Sequence, residues 1–329
     1  MPHILVAGGA GYIGSHTVRA LVKEGFQVTV LDNLVHGHQE AVVDSTANLI
    51  VEDMGDEEAM KKLFSENQFD AVINFAGYIN VGESVTNPLK YYENNVGNAV
   101  IFLKAMQEYG VKKLVFSSTC ATYGVIDQIP ITEEESQRPI NPYGQSKLMY
   151  ETILDDCERA WGLKSVCLRY FNACGASEDS LIGEDHDPET HLIPLVLQAA
   201  KGIREHITVF GSDYNTPDGT CIRDYIHVDD LADAHVRAVR RLLEDGGSLK
   251  CNLGTGKGFS VNDIIVSAKK VTGLEISVEY GERREGDPPE LVADPKLANT
   301  ELKWMPTHSD IDNVISSAWN WMQKNDGHY

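Results

Sequence analysis

The sequence predicts an α/β fold: a doubly wound parallel sheet with a smaller C-terminal α/β substrate domain. Short apolar runs alternate with longer amphipathic patterns through the first half of the chain, a glycine-rich turn follows the first run, and the periodicity loosens after Phe171. The strand-like runs are residues 4–7, 28–31, Ala71–Asn74, 114–117 and 165–169. Helical patterns lie between them at 13–24, Glu57–Glu66, 88–109 and Pro142–Trp161. This alternation implies a parallel sheet with helices on both faces. Later segments near 207–210, 229–244 and 250–253 continue as strand, helix and strand. A chain of 329 residues suits two units, 1–171 and 172–329, with elements free to interleave across the boundary.

Composition narrows the function. Lys plus Arg number 28 and Asp plus Glu 49, for a formal charge of −21. Such a field repels phosphate backbones and anionic lipid heads, so neither nucleic acid nor a membrane surface is an expected partner. An anionic substrate would need local Arg or Lys to overcome it. The six cysteines are scattered, with no C-x-x-C pair, and read as reduced thiols of a cytoplasmic protein. No signal-like segment precedes the first strand, and no apolar run approaches the ~18 residues of a membrane span. His36 and His38 read as a solvated pair, and no metal is expected. The acidic stretch 178–190 reads as a loop, either a solvated excursion or a flap beside substrate.

The first strand runs into Gly8, Gly11 and Gly14, a G-x-x-G-x-x-G turn that opens a helix. Glycines there permit a tight turn and close approach of a pyrophosphate, which the helix N-terminus then stabilises. Asp32 ends the second strand near the spacing of an acid that binds the adenine ribose. Its carboxylate would repel a 2′-phosphate, and residues 33–38 offer no Arg to hold one, which favours NAD over NADP. The plain alternative is a structural turn with a surface Asp. Together these features specify a Rossmann-type sheet.

Asn141-Pro142-Tyr143-Gly144-Gln145-Ser146-Lys147 carries the chemistry. Asn141 suits an N-cap and Pro142 the first helical position. Tyr143 and Lys147 then share one helical face. A free phenol titrates near ~10, so it needs neighbouring positive charge to act as a base at neutral pH. The alternative is a surface helix pair. Ser117-Ser118-Thr119 closes the preceding strand, where a hydroxyl can share a substrate proton with Tyr143 or simply cap a loop.

Taken with Asp32-Asn33, Phe75-Ala76-Gly77, Asn94-Asn95, the 168–172 run, the 223–228 run and Arg284-Glu285-Gly286-Asp287, these motifs resemble the extended short-chain dehydrogenase/reductase family across nearly the whole chain. The resemblance implies NAD, a UDP-hexose substrate and 4-epimerase activity, an isomerisation by reversible hydride transfer. It implies Tyr143 as base, Thr119 as its hydrogen-bonding partner and Lys147 as tuner of both base and cofactor. NAD would be lined by Gly8, Gly11, Tyr12, Ile13, Gly14, Asp32, Asn33, Asp53, Met54, Phe75, Ala76, Gly77, Asn94, Ser117, Tyr143, Lys147, Tyr170 and Phe171. The sugar nucleotide would meet Thr119, Tyr143, Asn172, His191, Leu192, Phe210, Arg223, Arg284, Asp287 and Leu291. A homodimer through helices at 88–109 and Pro142–Trp161 is implied as well.

The sequence departs from the family pattern at three positions. Ile79 replaces a cofactor-binding Lys, and His191 stands where Asn is frequent. Leu291 stands where a bulky Tyr is associated with exclusion of N-acetylated sugars, so tolerance of UDP-N-acetylglucosamine is an expectation. A 4,6-dehydratase would need Asp-Glu after Thr119, where this chain has Cys120-Ala121. Epimerases of UDP-glucuronate or UDP-pentoses stay open, as does a NAD-sensing protein without catalysis. Gly254-Thr255-Gly256-Lys257 lacks the spacing of a phosphate loop and reads as a loop after a strand.

Overall fold

The computed structural model describes all residues except Asp44, Ser45, Glu285 and Gly286. Six parallel strands come first: β1 (His3–Ala7), β2 (Gln27–Asp32), β3 (Asn48–Val51), β4 (Ala71–Asn74), β5 (Lys113–Thr119) and β6 (Lys164–Tyr170). Between them run α1 (Tyr12–Lys23), α2 (Glu57–Glu66), α3 (Val81–Thr86), α4 (Pro88–Tyr92), α5 (Ala99–Glu108) and α6 (Pro142–Trp161). The second half supplies β7 (Asn172–Cys174), α7 (Leu192–Lys201), β8 (Ile207–Phe210), β9 (Ile222–Arg223), β10 (Tyr225–His227), α8 (Val228–Leu243) and β11 (Leu249–Leu253). It ends with β12 (Phe259–Ser260), α9 (Val261–Thr272), β13 (Val278–Gly281), β14 (Glu290–Leu291), α10 (Lys296–Glu301) and α11 (Ile311–Asn325).

The large sheet has seven strands in the order β11-β6-β5-β4-β1-β2-β3. Its neighbouring strands are all parallel, so β11 joins from beyond residue 171. Every residue of β1 is buried, which is why it reads as a continuous apolar run rather than an alternating one. Strand order reverses between β1 and β4, and the crevice at that switch point faces the carboxyl ends of the strands. Two apolar cores cover the two faces of the sheet. A third binds α7, α9 and α11 to β8.

The predicted helix 88–109 is present but not uniform. Between α4 and α5, residues Glu93–Asn98 form a π-helix. A π-segment rotates side chains off the α-helical face, and here Asn95 is the buried residue of the segment.

One polar device fastens α6 to the sheet. Arg169 on β6 pairs with Glu151 on α6, Nη2 to Oε2 at 2.7 Å and Nε to Oε1 at 3.0 Å, both side chains being buried. Ser118 donates to the same carboxylate. Arg169 also donates to the Tyr123 hydroxyl at 2.8 Å, which donates on to Asn252 of β11 at 2.7 Å. Burial opposes the charge on Glu151, but Arg169 overcomes it and holds that carboxyl below the usual range. Arg169→Met alone leaves this buried carboxylate without its counter-ion, and stability should fall by roughly 3–5 kcal/mol. Arg169→Met combined with Glu151→Leu should recover a substantial part of the loss; denaturant unfolding of both variants measures it.

Candidate active site

The glycine turn is built by contact with the strand beside it. Gly8 has φ +76°, and a Cβ there would lie 2.6 Å from the Ala76 nitrogen. A Cβ on Gly14 would lie 2.1 Å from the Gly8 carbonyl oxygen. Both positions therefore exclude a side chain. Gly11 is the N-cap of α1 and has no side chain to occupy the first-turn N–H groups of that helix. Those donors and the helix dipole point at a site for an anion.

Asp32 is fixed at the end of β2. Its carboxylate accepts from the backbone N–H of Ala10 at 3.0 Å and of Leu34 at 2.9 Å. Burial raises its pKa, against these donors. Asn33 donates to Asp53 at 2.8 Å, and Asp53 accepts from the Gly55 N–H at 2.6 Å. These four elements of the predicted nucleotide end thus share one corner. Met54 and Ala76 pack into the core below it. Ile13 packs with the other core, as does Phe75, whose ring meets His235 at 4.6 Å between centroids.

Asn95, the neighbour of the predicted cofactor residue Asn94, is buried and has a structural role. Its side chain accepts from the Tyr78 N–H at 2.8 Å and donates to the Tyr78 carbonyl at 3.0 Å and to Ser146 of α6 at 3.1 Å. It clamps the loop after β4, including Gly77, onto the reactive helix. Asn94 donates to Asn95 at 3.0 Å. Of the Asn-Asn pair, Asn95 is the buried residue of the π-segment.

Tyr143 and Lys147 occupy the first turns of α6. The helix starts as predicted, with Asn141 accepting from the Gly144 N–H at 2.8 Å and Pro142 following. Gly144 matters for placement: a Cβ would sit 2.5 Å from the Ala121 carbonyl oxygen, so α6 lies directly against the turn after Thr119. The Thr119 hydroxyl, which accepts from the Ala121 N–H at 3.1 Å, is close enough to the Tyr143 phenol to favour its ionised form. Burial pushes the Tyr143 phenol up to about 12, against that influence. Lys147 is buried, donates to the Ser117 carbonyl at 2.9 Å, and is pushed down to about 8 by desolvation. Its ammonium lies 6.0 Å from the centre of the Tyr143 ring.

Tyr170 and Phe171, predicted as cofactor residues, are both buried. The Tyr170 hydroxyl is bound to His235 Nε2 inside the core. Phe171 is also core. Ile79, the first departure from the family pattern, is exposed on the loop before α3.

The predicted substrate residues gather at the end of β9. Arg223 Nη2 donates to Asp287 Oδ1 at 2.5 Å. The Asp287 N–H donates to the Arg284 carbonyl at 3.3 Å, and the Arg284 guanidinium stacks on Phe210 at 4.1 Å. Glu285 and Gly286 of that motif lie outside the described residues. Leu291 of β14 is in register with Arg223. Arg223 also acts electrostatically on Cys120, the residue after Thr119. Asn172 is tied in through its N–H and its side-chain amide, which both donate to the Asp224 carbonyl, at 3.0 and 2.9 Å. Asp224 itself was not singled out from sequence. Its carboxylate holds the Thr255 and Gly256 N–H groups at 2.8 and 3.0 Å, so the 254–257 stretch is a loop held by an acid.

His191 is the N-cap of α7, ahead of Leu192, and makes no side-chain cap hydrogen bond. Its ring turns instead into Glu184 and Glu189, with His186 alongside. Burial works against protonation of both histidines, but the two glutamates overcome it and raise them above the ordinary imidazole range. The stretch 178–190 is therefore not a solvated excursion: Ile182 is wholly buried, and Glu184 and Glu189 are largely so. These four are also the His/Glu group among the described residues that could hold a metal ion.

The sequence model described as the NAD dependent epimerase/dehydratase family matches residues 4–254. UDP-glucose 4-epimerase of Streptococcus mutans is 53% identical over 97% of this chain and 96% of its own length. The enzyme of that name from Halalkalibacterium halodurans is 52% identical over 97% and 95%. Among solved structures, UDP-glucose 4-epimerase from Brucella ovis in complex with NAD superposes with a TM-score of 0.95 at 49% identity, covering 97% of this chain and 98% of that one. Matches of this length and identity establish that the chain belongs to the NAD dependent epimerase/dehydratase family.

Proposed function

We propose that this chain is a UDP-glucose 4-epimerase that holds NAD and interconverts UDP-glucose and UDP-galactose in galactose metabolism. The observation that carries the reading is Tyr143, its phenol near Thr119, one helical turn from a buried Lys147 that is held on the Ser117 carbonyl. Relatives of that name match along almost the full chain.

The residues fit the cofactor. Gly8 and Gly14 clear a cradle that a Cβ would fill, α1 presents unoccupied N–H groups, and Asp32 is held by backbone donors where a ribose diol would bind. Bound NAD supplies a hydride acceptor, and then a hydride donor, at C4 of the sugar. The protein's own part is to move a proton and confine the sugar. Tyr143 takes the proton of the 4-hydroxyl and later returns it, with Thr119 sharing that hydrogen bond. Because burial holds the phenol high, Tyr143 becomes a base only when positive charge stands beside it. Lys147, mostly protonated at neutral pH, contributes that charge. Arg223 and Arg284 offer planar donors for the diphosphate against a protein of net charge −21. Anchoring the diphosphate lets the 4-keto sugar turn over without leaving. No oxidant is consumed, since the hydride removed from one face returns to the other.

Leu291 favours a second substrate. It is in register with Arg223, and its side chain is smaller than tyrosine, which would leave more room for an N-acetyl group. The proposal also includes a cytoplasmic homodimer. All six cysteines are free, and no helix among the described residues is long and apolar enough to cross a membrane. Val85, Leu89 and Met149, exposed on α3, α4 and α6, offer apolar surface for a partner.

Tyr143→Phe should keep NAD but lose roughly 10²–10⁴-fold in turnover of UDP-glucose. A coupled assay for UDP-galactose, with cofactor content read after denaturation, checks both halves. UDP-N-acetylglucosamine should be epimerised by the parent, and Leu291→Tyr should cut that rate by about tenfold or more relative to UDP-glucose. Lys147 bears on pH. Its depressed pKa means that the unfolded chain binds more protons between pH 8 and 10.5, so the parent gains stability from this group across that window. Ligand-free Lys147→Met should therefore be most stabilised relative to the parent at pH 7, with the advantage shrinking towards pH 10. Denaturant midpoints at the two pH values test the sign.

A further inference from the structure

Glu184, His186, Glu189 and His191 are spaced E-x-H-x-x-E-x-H, and their ligating atoms all lie within 4.8 Å of one another. His191 Nδ1 is 2.9 Å from Glu184 Oε1 and 2.9 Å from Glu189 Oε1. His186 Nδ1 is 3.2 Å from Glu184 Oε1 and 3.8 Å from Glu189 Oε2. The glutamate side chains are only 7% and 9% exposed, so two carboxylates have been taken out of water at one point. His186 Nδ1 is buried and, despite these approaches, has no partner in hydrogen-bond geometry. A cavity of about 50 Å³ adjoins, lined by Glu184, His186 and Glu189 together with Gly175 and Trp321.

We propose that these four side chains form a site for one divalent transition cation of the zinc class. Two imidazoles and two carboxylates neutralise a 2+ ion and match zinc's N and O ligands. Bonds of ~2.0–2.1 Å in a tetrahedron set ligand atoms roughly 3.3 Å apart; the four His–Glu separations of 2.9–3.8 Å bracket that value, and the remaining pairs, within 4.8 Å, would draw in around the ion. Two imidazoles argue against magnesium or calcium, which take oxygen ligands in larger number. With four protein ligands there is no open position, so the site is structural and takes no part in hydride transfer.

Its location gives it work to do. His191 is the N-cap of α7, ahead of Leu192. The His186 ring meets the Tyr12 ring edge-on at 6.1 Å, and the Tyr12 hydroxyl donates to the Gly175 carbonyl at 2.6 Å. The ion would brace the start of α7 against the glycine turn, holding the sugar side of the cleft to the cofactor side.

The test uses untagged, full-length protein, stripped with dipicolinate and titrated with zinc chloride or cobalt chloride. One zinc should bind per chain, and cobalt should give the visible absorption of a tetrahedral site. The thermal midpoint should rise by roughly 5 °C once zinc exceeds its Kd about a hundredfold. His186→Ala with Glu189→Gln should weaken zinc binding at least ~100-fold and abolish the thermal response. Glu189→Gln alone, nearly isosteric, repeats the measurement should the double variant fail to fold. The inference falls if the stripped parent takes up no stoichiometric zinc, or if the Glu189→Gln protein binds it as the parent does.

Discussion

The ion pair between Arg169 and Glu151 joins the large sheet to the helix that carries Tyr143 and Lys147. Both charges lie out of water, so each depends on the other, and the geometry has to be good on every side. Ser118, Tyr123 and Asn252 complete it, drawing β5, β6, β11 and α6 to one point. Ser118 lies beside Thr119, and Glu151 lies one turn beyond Lys147. A lapse in this network would move Tyr143 relative to Thr119. The placement of the helix that carries Tyr143 and Lys147 is thus set from beneath, by a buried polar network.

Close backbone packing provides the second constraint. At Gly8, Gly14 and Gly144 a single added carbon would overlap neighbouring backbone. The first two bring β1 against β4 and the start of α1; the third presses α6 onto the turn after Thr119. Asn95 then bridges the β4 loop to Ser146 on α6. The cofactor side and the proton-transfer side of the cleft are held together by contacts at van der Waals distance and by one amide.

Charge is arranged locally against the global field. The chain is strongly acidic, yet Arg223 and Arg284 are drawn to one region by Asp287, and Lys147 is buried on the Ser117 carbonyl. Arg223 is oriented by Asp287 and Arg284 by the face of Phe210, so neither guanidinium is left to sweep through solvent. Around the start of α7 the logic reverses: two glutamates gather two histidines, and a stretch with the composition of a solvated loop becomes a packed wall.

Much of this was legible in sequence because it rests on local rules. Period and glycine spacing specified the sheet and the first crossover. Asn141-Pro142 set the start of α6, and Tyr143 and Lys147 follow from helical spacing. Strand β3 was not marked: it is a short edge strand, and its apolar run is brief. Other features depended on tertiary structure. Which asparagine of the 94–95 pair turns inward is decided by a π-segment that no periodicity signals. Arg169 and Glu151 are eighteen residues apart, on different elements, and no local pattern pairs them. The residues at 184, 186, 189 and 191 look like loop composition until the chain folds back beside Tyr12. The sequence by itself determined the sheet, the cofactor turn and the Tyr-Lys pair, since each depends on neighbours within a few residues. Only the tertiary structure decided which polar groups are buried together, because burial converts distant charges into partners and no local pattern encodes that choice.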